Sequence, residues 1–106
     1  MRDSITITIY SSLDEASRLA EKIAREAQVF LAREYGIPVE VVIVEVPMPT
    51  DEAREAGLPT VLVEDREVAE GRVPLLTDVV DAVFEEIREE YGLAGSGLPE
   101  IGVIGV

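Results

Sequence analysis

A chain of 106 residues, 47% hydrophobic and 29% charged, has the composition of one folded domain with a single core. With no cysteine and no histidine, it lacks thiolate nucleophiles, disulfide exchange, imidazole acid–base catalysis and every common zinc site. A net charge of −13 repels nucleic-acid phosphates and anionic lipid, so neither nucleic acid nor membrane is the expected partner.

No run approaches the roughly 20 apolar residues needed to span a bilayer. Met1-Arg2-Asp3-Ser4 leads straight into a strand pattern with no secretory signal in view, and the lack of cysteine suits a cytoplasmic protein. The bases are eight arginines and one lysine, Gln28 is the single glutamine, and asparagine is absent. Depletion of thermolabile residues beside charge-rich helices is the pattern of a heat-adapted, thermophilic source.

Ile5-Thr6-Ile7-Thr8-Ile9-Tyr10 alternates strictly, the period of a strand with two unlike faces. Ser12 and Glu15, three apart, have the spacing of a capping box at a helix start. Leu13, Ala16, Ala20, Ile23, Ala24, Ala27, Phe30, Leu31 and Tyr35 then recur at helical spacing, and Gly36 with Pro38 ends the helix. Val39 to Val46 reads as a second strand. Its run Val41-Val42-Ile43-Val44 is continuously apolar and β-branched, as in a strand covered on both faces. Thr50 is the expected N-cap of a short helix ending at Gly57. Val61 to Val63 is a third strand, Glu64 to Glu67 a turn, and Val68 to Glu70 an antiparallel return. A final helix carries Val79, Val80, Val83, Phe84, Ile87 and Tyr91 on one face and stops at Gly92. After a small linker, Ile-Gly-Val is written twice, over residues 101–106.

At Leu58-Pro59-Thr60-Val61-Leu62-Val63, Glu67-Val68-Ala69 and Gly71-Arg72-Val73-Pro74, the chain resembles the thioredoxin/glutaredoxin superfamily. There the same stretch is a cis-proline, a strand, a hairpin, a glycine and the last helix. The resemblance covers Ile5 to Gly92 as topology and residues 58 to 74 as local sequence. It implies a thioredoxin-like three-layer α/β/α sandwich with a mixed sheet over residues 1–98, Pro59 in the cis form, and an extra apolar tail strand over 99–106. The family's Cys-x-x-Cys would fall near Ser11 to Ala16, where this chain has Ser, Leu, Asp, Glu and Ala, so thiol–disulfide exchange is excluded. The alternative is a ferredoxin-like α+β sandwich, which needs the second and third strands as hairpin neighbours.

Ser11, Ser12 and Leu13 stand where a strand hands over to a helix, a place that could hold an anion or raise a serine to nucleophile. Helix capping by Ser12 explains the same residues. Leu58, Pro59 and Thr60 could present backbone to an extended peptide. Glu85, Glu86, Glu89 and Glu90 read as a solvated acidic face rather than a metal site, because one helix surface supplies carboxylates from only one side. No metal or cofactor is expected. Ile101, Val103, Ile104 and Val106 should pair with a sheet edge in their own chain or in a second copy, and Val41 and Ile43 are the matching dimer contacts. The expected function is a non-redox protein- or peptide-binding module, homodimeric, whose partner the sequence does not name. The alternatives are an enzyme using carboxylates or an anion at the first helix N-terminus, and a purely structural dimerisation domain.

Overall fold

The computed structural model describes residues 4–90. Seven elements follow in order: β1 (Ile5–Ser11), α1 (Glu15–Tyr35), β2 (Val39–Glu45), α2 (Thr50–Glu55), β3 (Thr60–Val63), β4 (Arg66–Glu70) and α3 (Leu76–Glu90). They build one four-stranded sheet in the order β2-β1-β3-β4. β1 pairs parallel with β2 and antiparallel with β3, and β3 pairs antiparallel with β4. β1 therefore lies between β2 and β3, and the hairpin that a ferredoxin-like sandwich requires is not formed. The Leu58–Pro59 peptide bond is cis. Expectations that rest on Tyr91, Gly92 and residues 99–106 lie outside the described residues.

The alternation of β1 becomes a two-sided strand. Ile5, Ile7 and Ile9 are buried, while Thr6, Thr8 and Tyr10 on the other face are half-buried. Register carries the apolar face across the sheet, because Val39, Val41 and Ile43 stand opposite Ile5, Ile7 and Ile9. Val63 and Val61 flank Ile7 and Ile9 from the other side. Over this face lie α1, through Ala20, Ala24, Ala27 and Leu31, and α3, through Val79, Ala82 and Val83. Alanine at three successive contact positions lets α1 approach the sheet closely. The short α2 packs only sparsely on the sheet. Because β2 ends opposite Ser11 and β3 begins opposite Tyr10, the connection that holds α2 starts and finishes at the C-terminal end of β1.

Four sequence expectations need correcting. The N-cap of α1 lies two residues beyond the expected Ser12: it is Asp14, whose carboxylate accepts from the Ser17 N–H at 2.9 Å. The helix's buried stripe is also narrower than the periodicity suggests, with Ser17 inside and Leu13, Phe30 and Tyr35 exposed. Tyr35 nevertheless ties the two long helices, its ring edge-on to Phe84 at 5.0 Å between centroids. α2 begins at Thr50 with Pro49 as its N-cap, so Thr50 is inside the helix. Finally, β2, at the edge of the sheet, is not covered on both faces by the described residues: Val42 and Val44 are each 37% exposed. A β-branched run looks the same whether one face is covered or two.

Gly36 ends α1 as read from the sequence. It adopts the left-handed conformation at φ 66°, its N–H reaches Ala32 O, and the Ile37 N–H returns to Leu31 O. This paired closure satisfies two of the last helical carbonyls. The β3–β4 turn is tighter than expected, with only Glu64 and Asp65 between the strands. Glu64 takes a positive φ of 55° without being glycine. Its carboxylate accepts the Thr6 N–H at 2.6 Å while its own N–H donates to Thr6 O at 2.8 Å, fastening the turn to β1.

Candidate functional site

The residues singled out in the sequence converge on one end of the molecule. Tyr10 and Thr60 are ladder partners, so the Ser11–Leu13 and Leu58–Thr60 segments lie side by side where β1 ends. Gly71 joins them, its N–H donating to Pro59 O at 2.8 Å. Leu58 N–H donates to Ala53 O at 2.8 Å, and the Thr60 hydroxyl to Gly57 O. The Leu58 donor and the Pro59 acceptor are thus already engaged within the chain. Pro59 is buried and Leu58 half-buried.

The serines face inward. Ser11, Ser12 and Ser17 are all buried. Ser11 Oγ donates to Glu21 Oε2 at 2.9 Å and accepts the Leu13 N–H at 3.2 Å. Ser17 Oγ accepts the Ser12 N–H at 3.0 Å and shares a hydrogen bond with Ser12 Oγ at 3.1 Å. Each hydroxyl therefore has an internal partner, and the cluster locks the β1–α1 junction. Sequence reasoning missed Ser17 and Glu21, although Asp14 and Ser17 have the same three-residue spacing as Ser12 and Glu15.

Leu13 closes this junction at a left-handed φ of 71° and is 40% exposed. Leu75, immediately before α3, is 66% exposed and was not singled out from the sequence. The signal was the Leu75-Leu76 pair, because two adjacent residues at a helix start cannot both turn to the core. α1 and α3 begin at the same end of the sheet, so Leu13, Leu58 and Leu75 all lie at the end where Pro59 is buried. Carboxylates flank it: Asp14 and Glu15 at the start of α1, Asp51 and Glu52 in α2, and Asp78 in α3.

The hydrogen bond from the Ser17 backbone holds the Asp14 carboxyl below its ordinary value of 3.8. A carboxyl whose pKa is lower in the folded protein stabilises it above the unfolded value. That contribution is lost as pH falls through the folded pKa. Asp14→Ala is therefore expected to cost about 1 kcal/mol at neutral pH. Urea titrations at stepped pH should show the difference between the two proteins shrinking once pH drops below 3.8.

The acidic end of α3 is laced into ion pairs. Arg66 lies 3.2 Å from Glu86 and 2.6 Å from Glu89, and Arg88 lies 2.6 Å from Glu85. No cluster of three or more potential metal ligands exists among the described residues, and no described helix is long and apolar enough to cross a membrane. A shallow groove along the outside of α1 is lined by Arg18, Lys22, Arg25 and Arg33, but Glu21, Glu26 and Glu34 alternate with them, so it carries no strong field. The named dimer residues of β2, Val41 and Ile43, turn their side chains toward the helices and are half-buried.

The sheet order, the parallel β1–α1–β2 unit, the antiparallel β3–β4 hairpin and the cis bond at Pro59 together define a thioredoxin-like α/β fold without cysteine. Among solved structures, a thioredoxin-2 described as a component of the malaria parasite protein secretion machinery is similar, with a TM-score of 0.52 over 80% of this chain and 85% of that one. The two sequences are 15% identical, so the likeness is one of fold. Neither protein-family models nor curated proteins match the sequence.

Proposed function

We propose that this protein is a non-redox binding module that holds an extended protein segment across the Leu13–Leu58–Leu75 rim. The observation that carries this reading is the division of polar and apolar groups at the end of β1. The serine hydroxyls are enclosed and satisfied, while Leu13 and Leu75 stand in solvent. Such a surface offers apolar contact and presents no nucleophile. The surrounding carboxylates and the net charge of −13 favour a segment that carries basic side chains beside its apolar ones. The enzyme alternative gains less support, because an anion or substrate would have to displace Ser17 or Glu21 from the buried hydroxyls.

The test is to pan a displayed library of random peptides against the protein and map the strongest binder by amide chemical shifts. Shifts at Leu13, Leu58, Thr60 and Leu75, with apolar and basic residues enriched in the peptides, support the reading. Leu13→Asn keeps a residue that tolerates left-handed backbone while removing the apolar side chain, so it should fold. It is expected to weaken binding about tenfold. Shifts confined to another face, or undiminished binding by Leu13→Asn together with Leu75→Ser, would overturn it.

A further inference from the structure

We propose that the sheet face turned away from α1 and α3 docks an amphipathic helix of a partner protein, one with lysine or arginine on both sides of an apolar stripe. This surface is distinct from the leucine rim and does not depend on it.

Both long helices lie over the Ile7 side of the sheet. On the other side, the ladders set side chains in rows that cross the strands. Val42, Thr8, Leu62 and Glu67 form one row, and Val44, Tyr10, Thr60 and Glu70 the next. Glu40 stands beside Thr6 in a third. The six-residue α2 packs only sparsely on the sheet, and Val42 and Val44 remain 37% exposed. Tyr10 and Leu62 beside them are half-buried. The middle of this face is thus valine, leucine, tyrosine and threonine, with no long helix over it among the described residues.

Charge decides what can lie there. Every charged strand residue on this face is a glutamate: Glu40 on β2, and Glu67 and Glu70 on β4, all exposed. The one basic strand residue, Arg66, stands opposite Val63 on the other face and pairs with Glu86 and Glu89 of α3. Carboxylates therefore flank the apolar middle on both outer strands. A second copy laid face to face would set glutamate against glutamate, with −13 on each chain. Anionic lipid and nucleic-acid phosphates meet the same repulsion.

Shape narrows the partner further. A sheet face offers side chains rather than free backbone groups, so a packed helix covers it and an added strand does not. Four strands span about 14 Å between the outer two. A helix with its side chains is about 10–12 Å across. One helix laid over Thr8 and Leu62 therefore brings its two flanks near Glu40 on one side and near Glu67 and Glu70 on the other. Lysine and arginine suit those flanks, because their methylenes lie on apolar surface while their charged ends reach outward.

Titrating the full chain with a helical leucine–lysine peptide, its lysines flanking a leucine stripe, tests this by amide chemical shifts. Shifts centred on Thr8, Val42 and Leu62, with Leu13 and Leu75 unmoved, are the expected result. The same peptide in scrambled order, and a leucine–glutamate version, should each bind at least about tenfold more weakly. Val42→Thr with Val44→Thr keeps the β-branched shape and the net charge, so it should fold, and it is expected to weaken binding about tenfold. Glu40→Lys with Glu67→Lys should weaken it similarly at low salt and less at high salt. Shifts centred elsewhere, or undiminished binding by both double variants, overturn the proposal. Shifts at Val42 and Leu62 that grow with protein concentration in the absence of peptide, with the mass of two chains, overturn it in favour of a second copy on this face.

Discussion

Alanine in place of Ile7 is expected to destabilise the protein by about 3 kcal/mol, the largest effect of any single truncation proposed. Ile7 is fully buried on the central strand, between Val41 of β2 and Val63 of β3. Its neighbours sit on two ladders and under two helices, so they cannot collapse into the space a lost side chain leaves. The cost is the transfer energy of the missing carbons plus that of the void. For a domain of this size the melting temperature should fall by roughly 12–24 °C. Thermal unfolding followed by circular dichroism measures it, with Leu19→Ala on the exposed side of α1 as the control expected to change little. A fall no larger than the control's would mean that the core is not closed over β1.

Ser17→Ala is expected to cost about 2 kcal/mol, because it leaves the buried Ser12 N–H without its acceptor. Ser12→Ala should cost clearly less: it removes one hydroxyl, while Ser17 Oγ still accepts the Ser12 N–H. Chemical denaturation of the pair gives the comparison. Equal losses would show that the two hydroxyls matter only as packing volume. The ordering also bears on the leucine rim, since Ser17 fixes the junction from which Leu13 projects.

The fold was legible where one period dominated. Strict alternation in Ile5–Tyr10 could only be a strand with one buried face, and Gly36 followed by Pro38 could only end a helix. The proline before Val61 and the hairpin after it carried the topology, because together they separate β2 from β3. What stayed hidden depended on choices the local pattern leaves equal. Ser12–Glu15 and Asp14–Ser17 both have the spacing of a helix start. The left-handed turn at Leu13 decided between them, by directing Ser12 inward to Ser17. Val41–Val44 reads alike for a central strand and an edge strand, since β-branched residues suit both. At the site, the sequence placed Ser11–Leu13 and Leu58–Thr60 together but not which side chains turn inward: the hydroxyls line the interior, while Leu13 meets solvent. Hydrogen-bond partners ten residues away, such as Glu21 for Ser11, leave no trace in local spacing.

The mixed pairing of β1 also orders assembly. Its parallel ladder with β2 closes through a single helix, and β3 meets β4 across two residues, so both halves gather over short stretches of chain. The seam between them, Ile7–Tyr10 against Thr60–Val63, joins residues further apart in the chain than the other two ladders do. Loop entropy rises with chain separation and distant contacts form slowly, so this seam should be the last ladder to zip and the one that sets the folding rate.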